Sequence, residues 1–333
     1  MRRNARLPLI ILLLFLPLIA LLNLMLGASG LSLAEIWQAL ILQDTFSRSY
    51  VILMHIRLPR LLGALLTGGS LAAAGYILQN VLGNPMASPG LIGVNSGAGL
   101  MALIAMIFLP QASAAVPLLA FLGALLAALL VYFVSAVTGA SKSTLILSGV
   151  AISALLGACM DALVTFFPDA AISRSAFSIG GFENITLSRI FAVCPFVFIG
   201  IGLAAFFSRE LSILSMGDET ASGLGLSPIL FRFLFLIAAA LLSAAAVSLG
   251  GLIGFEGLIA PHIARLMTPG QNKGRLPLSI LCGMALCALC DLIARTAFAP
   301  YELPVGILLA LLGVPFFLSL LFGQKRRNRH DHP

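Results

Sequence analysis

Few side chains in this 333-residue sequence could do chemistry, and their placement limits what that chemistry could be. Cys287 and Cys290 stand in a C-x-x-C spacing with Cys282 five residues earlier. A metal or redox centre needs a second such pair or a nearby histidine, and that stretch has neither. All five cysteines (Cys159, Cys194, Cys282, Cys287, Cys290) fall in apolar runs, which reads as small residues packed between helices. His262 follows Pro261 and precedes Arg265. It could ligate a haem or a metal, but packing a helix break is the expectation. The other histidines are His55 and the tail pair His330 and His332, so no Ser-His, paired-Asp or His-rich constellation of an intramembrane enzyme is present. No Gly-x-x-x-x-Gly-Lys-Ser/Thr phosphate loop occurs, so ATP chemistry, if used, belongs to another chain. Asp161 is the acid deepest in an apolar run, with Asp291 nearer a span's end, and one isolated carboxylate is thin support for an ion-coupled relay. What remains are arginines, above all Arg57 and Arg60, three apart and so on one helical face.

The elements that must hold these residues follow from composition. Apolar residues make up 60% of the chain and charged ones 9%, against about 25% charged in an ordinary soluble domain. Thirty-one charged side chains cannot cover a soluble fold of this size, whereas lipid-facing helices require none. The expected fold is an all-α polytopic membrane protein, one membrane domain over residues 1–333. Apolar spans fall at 7–26, 58–82, 91–109, 116–137, 144–167, 190–207, 228–252, 276–298 and 305–322, with a short segment at 257–267. The first span follows a basic start and precedes small residues at Gly27-Ala28-Ser29, as a cleaved signal would, but its length favours a retained helix.

Charge sets the expected orientation. Arg2, Arg3 and Arg6 at one terminus and Lys325, Arg326, Arg327 and Arg329 at the other flank apolar spans, which predicts cytoplasmic termini and an even number of crossings. With ten segments, thirteen basic residues fall inside and six outside: Arg48, Arg57, Arg60, Arg174, Arg189 and Arg295. The 257–267 segment cannot cross about 30 Å at 1.5 Å per residue, so it must be buried in protein or line a wet cavity. Broken helices of this kind often mark transport pathways. A weak inverted repeat relates the stretch from Arg60 to Pro89 to the one from Arg232 to Pro261.

Four stretches are more specific. They are Arg57-Leu-Pro-Arg60 followed by Gly75, Gln79 and Asn84-Pro-Met-Ala-Ser-Pro89; Leu214 to Gly225; Gly251 to Arg265; and Asp291 through Glu302-Leu-Pro304-Val-Gly306 to Gly313-Val-Pro315. In this order and spacing, from about Arg57 to Leu321, the chain resembles the permease subunits of iron-chelate and cobalamin ABC importers, the FecCD/BtuC type. The resemblance implies ten transmembrane helices of the type II importer fold in a bacterial cytoplasmic membrane. It also implies a second permease subunit (a homodimer, or a heterodimer of similar chains), two cytoplasmic ATPases that use ATP and Mg, and an extracytoplasmic substrate-binding protein. No cofactor is expected on this chain.

The resemblance also assigns roles. Arg57, Arg60 and Arg295 would receive carboxylates of the binding protein, with headgroup contact or an Arg295–Asp291 pair as the local alternatives. The loop with Met216, Gly217, Asp218, Glu219, Ala221 and Gly225 would sit in the ATPase as a coupling element. Asn84, Met86, Ser141 and Lys142 would close the inner gate, although simple turn chemistry competes and a lysine is larger than such a turn wants. Glu256 stands where the family usually has an aliphatic residue; it is expected to face the outer mouth or cavity, beside His262. The expected cargo is a metal chelate, first a ferric siderophore, with haem, cobalamin and oxoanions behind. An ion-coupled secondary transporter is the reading from another class.

Overall fold

The computed structural model describes residues 6–27, 30–42, 46–112, 114–138, 141–269, 274–298 and 301–330, the last helix beyond 319 chiefly by its backbone. Arg2, Arg3 and Lys273, and the side chains of Arg6, Lys325, Arg326, Arg327 and Arg329, on which the charge count partly rests, lie outside the described residues.

Helix follows helix: α1 (Arg6–Met25), α2 (Leu33–Leu42), α3 (Arg48–Val51), a π-helical turn (Ile52–Arg57), α4 (Leu58–Leu82), α5 (Val94–Phe108), α6 (Ala115–Val137), α7 (Lys142–Phe166), α8 (Ala170–Ile179), α9 (Leu187–Phe206), α10 (Ser208–Leu214), α11 (Asp218–Gly223), α12 (Pro228–Gly250), α13 (Glu256–Met267), α14 (Arg275–Thr296) and α15 (Val305–His330). Each of the ten expected segments is a helix. Among the described residues, seven continuous helices are long and apolar enough to cross a membrane, α3 and α4 forming one of them over Arg48–Leu82. The α5 helix and the first half of α15 are shorter apolar helices. At twelve residues, α13 reaches only about 18 Å. The chain is a multi-pass membrane protein.

Besides α3, which lengthens one of the ten expected spans, four helices among the described residues fall outside them: α2, α8, α10 and α11. They are too short to span, and a search for spanning runs passes over them. One of them, α2, is announced by a capping box, in which the Ser32 amide donates to Glu35 at 2.8 Å and the Glu35 amide to Ser32 Oγ at 3.2 Å. The helix expected to begin at residue 58 begins instead at Arg48, because the His55–Arg57 stretch that looked like a boundary is carried through on the π turn.

Successive spans alternate in direction, so the bundle has two ends. The terminal end carries the start of α1, the finish of α15, the turns at 83–93 and 138–142, and α10 and α11. The opposite end carries α2, α3, α8 and the connections at 109–114, 251–255 and 297–304. At the centre lies α4, nearly all of it buried, packed against α12, α13 and α14. Its glycines set how close they come. A Cβ at Gly68 would stand 2.3 Å from the Gly283 carbonyl oxygen, and one at Gly75 would stand 1.9 Å from that of Gly257. Membrane helices gain stability by this close approach, since lipid supplies no hydrophobic drive between them.

Candidate functional site

At the opposite end, α4 and α14 bring their charged residues together. Arg60 Nε donates to both oxygens of Asp291, at 2.9 and 3.2 Å, and Arg60 Nη1 donates to Glu302 at 2.7 Å. Arg295, one turn beyond Asp291 on α14, lies 3.6 Å from its other side. Asp291 is 1% exposed, so this carboxylate serves as the buried anion between two guanidinium groups.

The chain turns Arg57 and Arg295 toward α1. Arg295 Nη1 donates to the Leu26 carbonyl at 2.6 Å, and Nη2 donates to the Asn23 side-chain oxygen at 3.1 Å and to the Asn23 carbonyl. Arg57 donates to the Leu24 carbonyl. The last carbonyls of a helix lack intrahelical donors and carry the negative end of its dipole, which these two cations satisfy. Asn23 completes the joint, donating to the Ala288 carbonyl of α14 at 3.2 Å. All three arginines predicted to receive a partner's carboxylates already have partners within the chain. Arg57 and Arg295 are buried against α1, and Arg60 is held by Asp291 and by the partly exposed Glu302. The Arg295–Asp291 pair is present, but the capping of α1 was not foreseen: nothing local to either arginine reports carbonyls more than thirty residues away.

At the terminal end, α4 stops at Gly83 in the left-handed region (φ 63°), and the Met86 amide donates to Asn84 Oδ1 at 2.9 Å in a tight turn. Ser141 caps α7, its Oγ accepting from the Thr144 amide at 3.1 Å. Lys142 then lies over the end of α4, since a Cβ placed on Gly83 would be 3.4 Å from its Nζ. From the other direction comes the 216–225 loop, with Ala221 buried and Met216 exposed. Gly217 (φ 112°) and Gly225 (φ 80°) bound α11 in conformations that side chains resist, with open space where a side chain would go. Asp218, in the first turn of α11 ahead of Glu219, accepts a 2.6 Å bond from the buried Arg232 of α12 and lies 3.9 Å from Lys142. The residues predicted for the gate and for the coupling loop therefore meet.

The broken segment is pinned from the side. Gln79 of α4 donates to the Gly257 carbonyl at 3.2 Å and accepts from Arg265 at 3.2 Å. His262 is half-buried with its ring edge-on to Phe316, centroids 5.4 Å apart, a packing arrangement. Glu256 departs from expectation. It is fully enclosed rather than facing a mouth or cavity, and neither of its oxygens has a hydrogen-bond partner. The reason is the Gly75–Gly257 contact, which draws the start of α13 onto α4 and closes the space beside residue 256. Just before it, Phe255 holds a left-handed φ of 64°, with its ring where any Cβ on Gly313 would have to sit. The glycine of the Gly313-Val-Pro315 motif was the available signal for that contact.

Two further expectations resolve simply. Asp161 is exposed and bonded to Arg174 at 2.8 Å, so it is no buried relay acid. The five cysteines are free; Cys282, Cys287 and Cys290 are buried as expected and Cys194 partly so, but Cys159 is exposed on α7 rather than packed between helices. Among the described residues no group of three or more His, Cys, Asp or Glu could hold a metal ion. Beside α8, at the opposite end, a cavity of about 400 Å³ opens among Phe177, Glu183, Asn184, Arg189, Ser248 and Pro304.

The comparisons with known proteins agree along the whole length. The chain is 36% identical to the Fe(3+)-citrate import system permease protein YfmD of Bacillus subtilis, over 98% of this chain and 97% of that protein. It is 35% identical to the hemin transport system permease protein HmuU of Yersinia pestis, over 98% of each. Its fold superposes on an inward-facing metal-chelate type ABC transporter with a TM-score of 0.82 at 28% identity, covering 96% of this chain and 99% of the other. The profile of the FecCD transport family matches residues 12–323, and the chain belongs to that family.

Proposed function

We propose that this chain is the permease subunit of an ATP-driven importer that carries an intact ferric chelate, foremost a ferric siderophore, across the bacterial cytoplasmic membrane. The observation that carries the reading is the full-length agreement, in fold and in sequence, with a metal-chelate type ABC transporter. The names of its relatives, iron-citrate and hemin permeases, support an iron chelate as the cargo; haem or cobalamin is the alternative to a ferric siderophore. The chain binds no cofactor. Its partners are a second permease subunit, a copy of itself, two cytoplasmic ATPases that use ATP and Mg, and an extracytoplasmic binding protein. Both termini are cytoplasmic, so α11 presents Met216 to Gly225 to the ATPase, and the turns at Asn84–Met86 and Ser141–Lys142 gate the inner end. The binding protein docks at the opposite end over Arg57, Arg60 and Arg295, where the Arg60–Glu302 pair is the accessible part.

The test is reconstitution in proteoliposomes with the cognate ATPase and binding protein, measuring accumulation of ferric citrate, a ferric hydroxamate, haem and cobalamin. ATP-dependent uptake of a ferric chelate is expected. Uptake driven by an ion gradient without ATP would establish the secondary-transporter reading instead.

A further inference from the structure

Lys142 occupies a position that its own helix disfavours. It is the first residue of α7, where the unpaired amides and the positive end of the dipole repel a cation. What stabilises an ammonium there must come from elsewhere, and two elements supply it. One is the finish of α4 at Gly83, whose last carbonyls carry the negative end of that helix. The other is Asp218 in α11.

The two oxygens of Asp218 are not used alike. Oδ2 accepts the 2.6 Å bond from Arg232, which is buried near the start of α12. Oδ1 is shielded from solvent and accepts no hydrogen bond. It faces the Lys142 ammonium at 3.9 Å, within ion-pair range and about 1 Å beyond the length of a charge-assisted hydrogen bond. The carboxylate is thus anchored to the bundle by one oxygen and poised over Lys142 with the other.

We infer that Lys142 is a positioning residue, an electrostatic tie that passes movement of the α11 loop to the turn at Asn84–Met86. The inference rests on the importer reading above, in which α11 is the element the ATPase moves. A shift of α11 toward α7 by about 1 Å completes the Lys142–Asp218 hydrogen bond. The ammonium's charge is then engaged by Asp218, and the end of α4 at Gly83 loses part of its cationic cover. Neither residue touches cargo or nucleotide; the effect is a coupling free energy between two sites.

The test uses the full importer in proteoliposomes and reads the number of chelates imported per ATP hydrolysed. Lys142→Gln should lower that ratio about fivefold, whereas Lys142→Arg, which keeps charge and reach, should stay near the wild-type value. Asp218→Asn, which also takes the ion pair from Arg232, should lower it at least as much, and adding Lys142→Gln to Asp218→Asn should do little further harm, because the Lys142 interaction is already lost with the carboxylate. A Lys142→Gln ratio equal to wild type overturns the inference, as do two losses that simply add. If Asp218→Asn fails to assemble, the contrast between Lys142→Gln and Lys142→Arg still decides. An absence of ATP-driven uptake in the wild-type complex would instead overturn the importer reading.

Discussion

Gly75 of α4 and Gly257 of α13 meet backbone to backbone, so close that a Cβ on Gly75 would stand 1.9 Å from the Gly257 carbonyl oxygen. The contact holds the short broken helix against the central one, and Gln79 bonds the same carbonyl one turn further along. Gly75→Val should therefore be among the most damaging single changes in the core. The obstructing atoms are backbone and cannot swing aside, so a loss above about 3 kcal/mol is expected. The yield of folded, monodisperse protein in detergent and its thermal midpoint measure this, and a midpoint within a degree or two of wild type would contradict it.

Glu256 presents the converse case. Both carboxyl oxygens are enclosed without a partner, and an unpaired buried polar group is a cost the fold carries. Glu256→Met keeps much of the volume and removes both oxygens. It should stabilise the protein by about 1–3 kcal/mol, seen as a raised unfolding midpoint in mixed micelles. A lowered midpoint would mean that the carboxyl has a role the folded chain does not reveal.

The Asp291 carboxylate lies between Arg60 and Arg295, and Glu302 closes the far side of Arg60 from a partly exposed position. The two acids should respond very differently to neutralisation. Asp291→Asn leaves the buried Arg295 without its carboxylate and Arg60 with Glu302 alone, and should cost about 3–5 kcal/mol. Glu302→Gln, at the surface, should cost at most about 1 kcal/mol. Chemical unfolding of both variants side by side tests the ranking.

Glu302 also competes for the guanidinium that a docking carboxylate would seek. If the binding protein reaches Arg60, Glu302→Gln should strengthen its association about two- to fivefold, and Arg60→Gln should weaken it by at least as much. Surface plasmon resonance on the detergent-purified complex, at two salt concentrations, gives both values. Reversing Arg57 would be a poor probe of docking, since it would bury an anion against the carbonyls of α1.

The nine apolar spans were legible because each is a continuous run of lipid-compatible residues, a signal that needs no partner. The stretches containing Arg60 and Arg232 fall on α4 and α12, which pack against each other at the core. The short helices escaped notice because length, rather than pattern, was the criterion. At the two ends residue type was legible and partner was not. Arg57 and Arg295 read as outward forks until their carbonyl acceptors on α1 were known. Lys142 and Asp218 belonged to separate loops until the fold set them 3.9 Å apart. Glu256 looked cavity-facing because acids in membrane segments usually face water, and only the packing of Gly257 shows it walled in.

The mooring of α1 bears on how the protein is made. This first helix is mostly exposed along its sides, and its far end is secured by Arg57 and by Arg295, the latter bonded to a carbonyl 269 residues earlier in the chain. During synthesis α1 enters the bilayer with its final carbonyls uncapped, and the second cation arrives only when α14 has been threaded. A chain truncated before α14 therefore lacks Arg295 and holds that end of α1 through Arg57 alone.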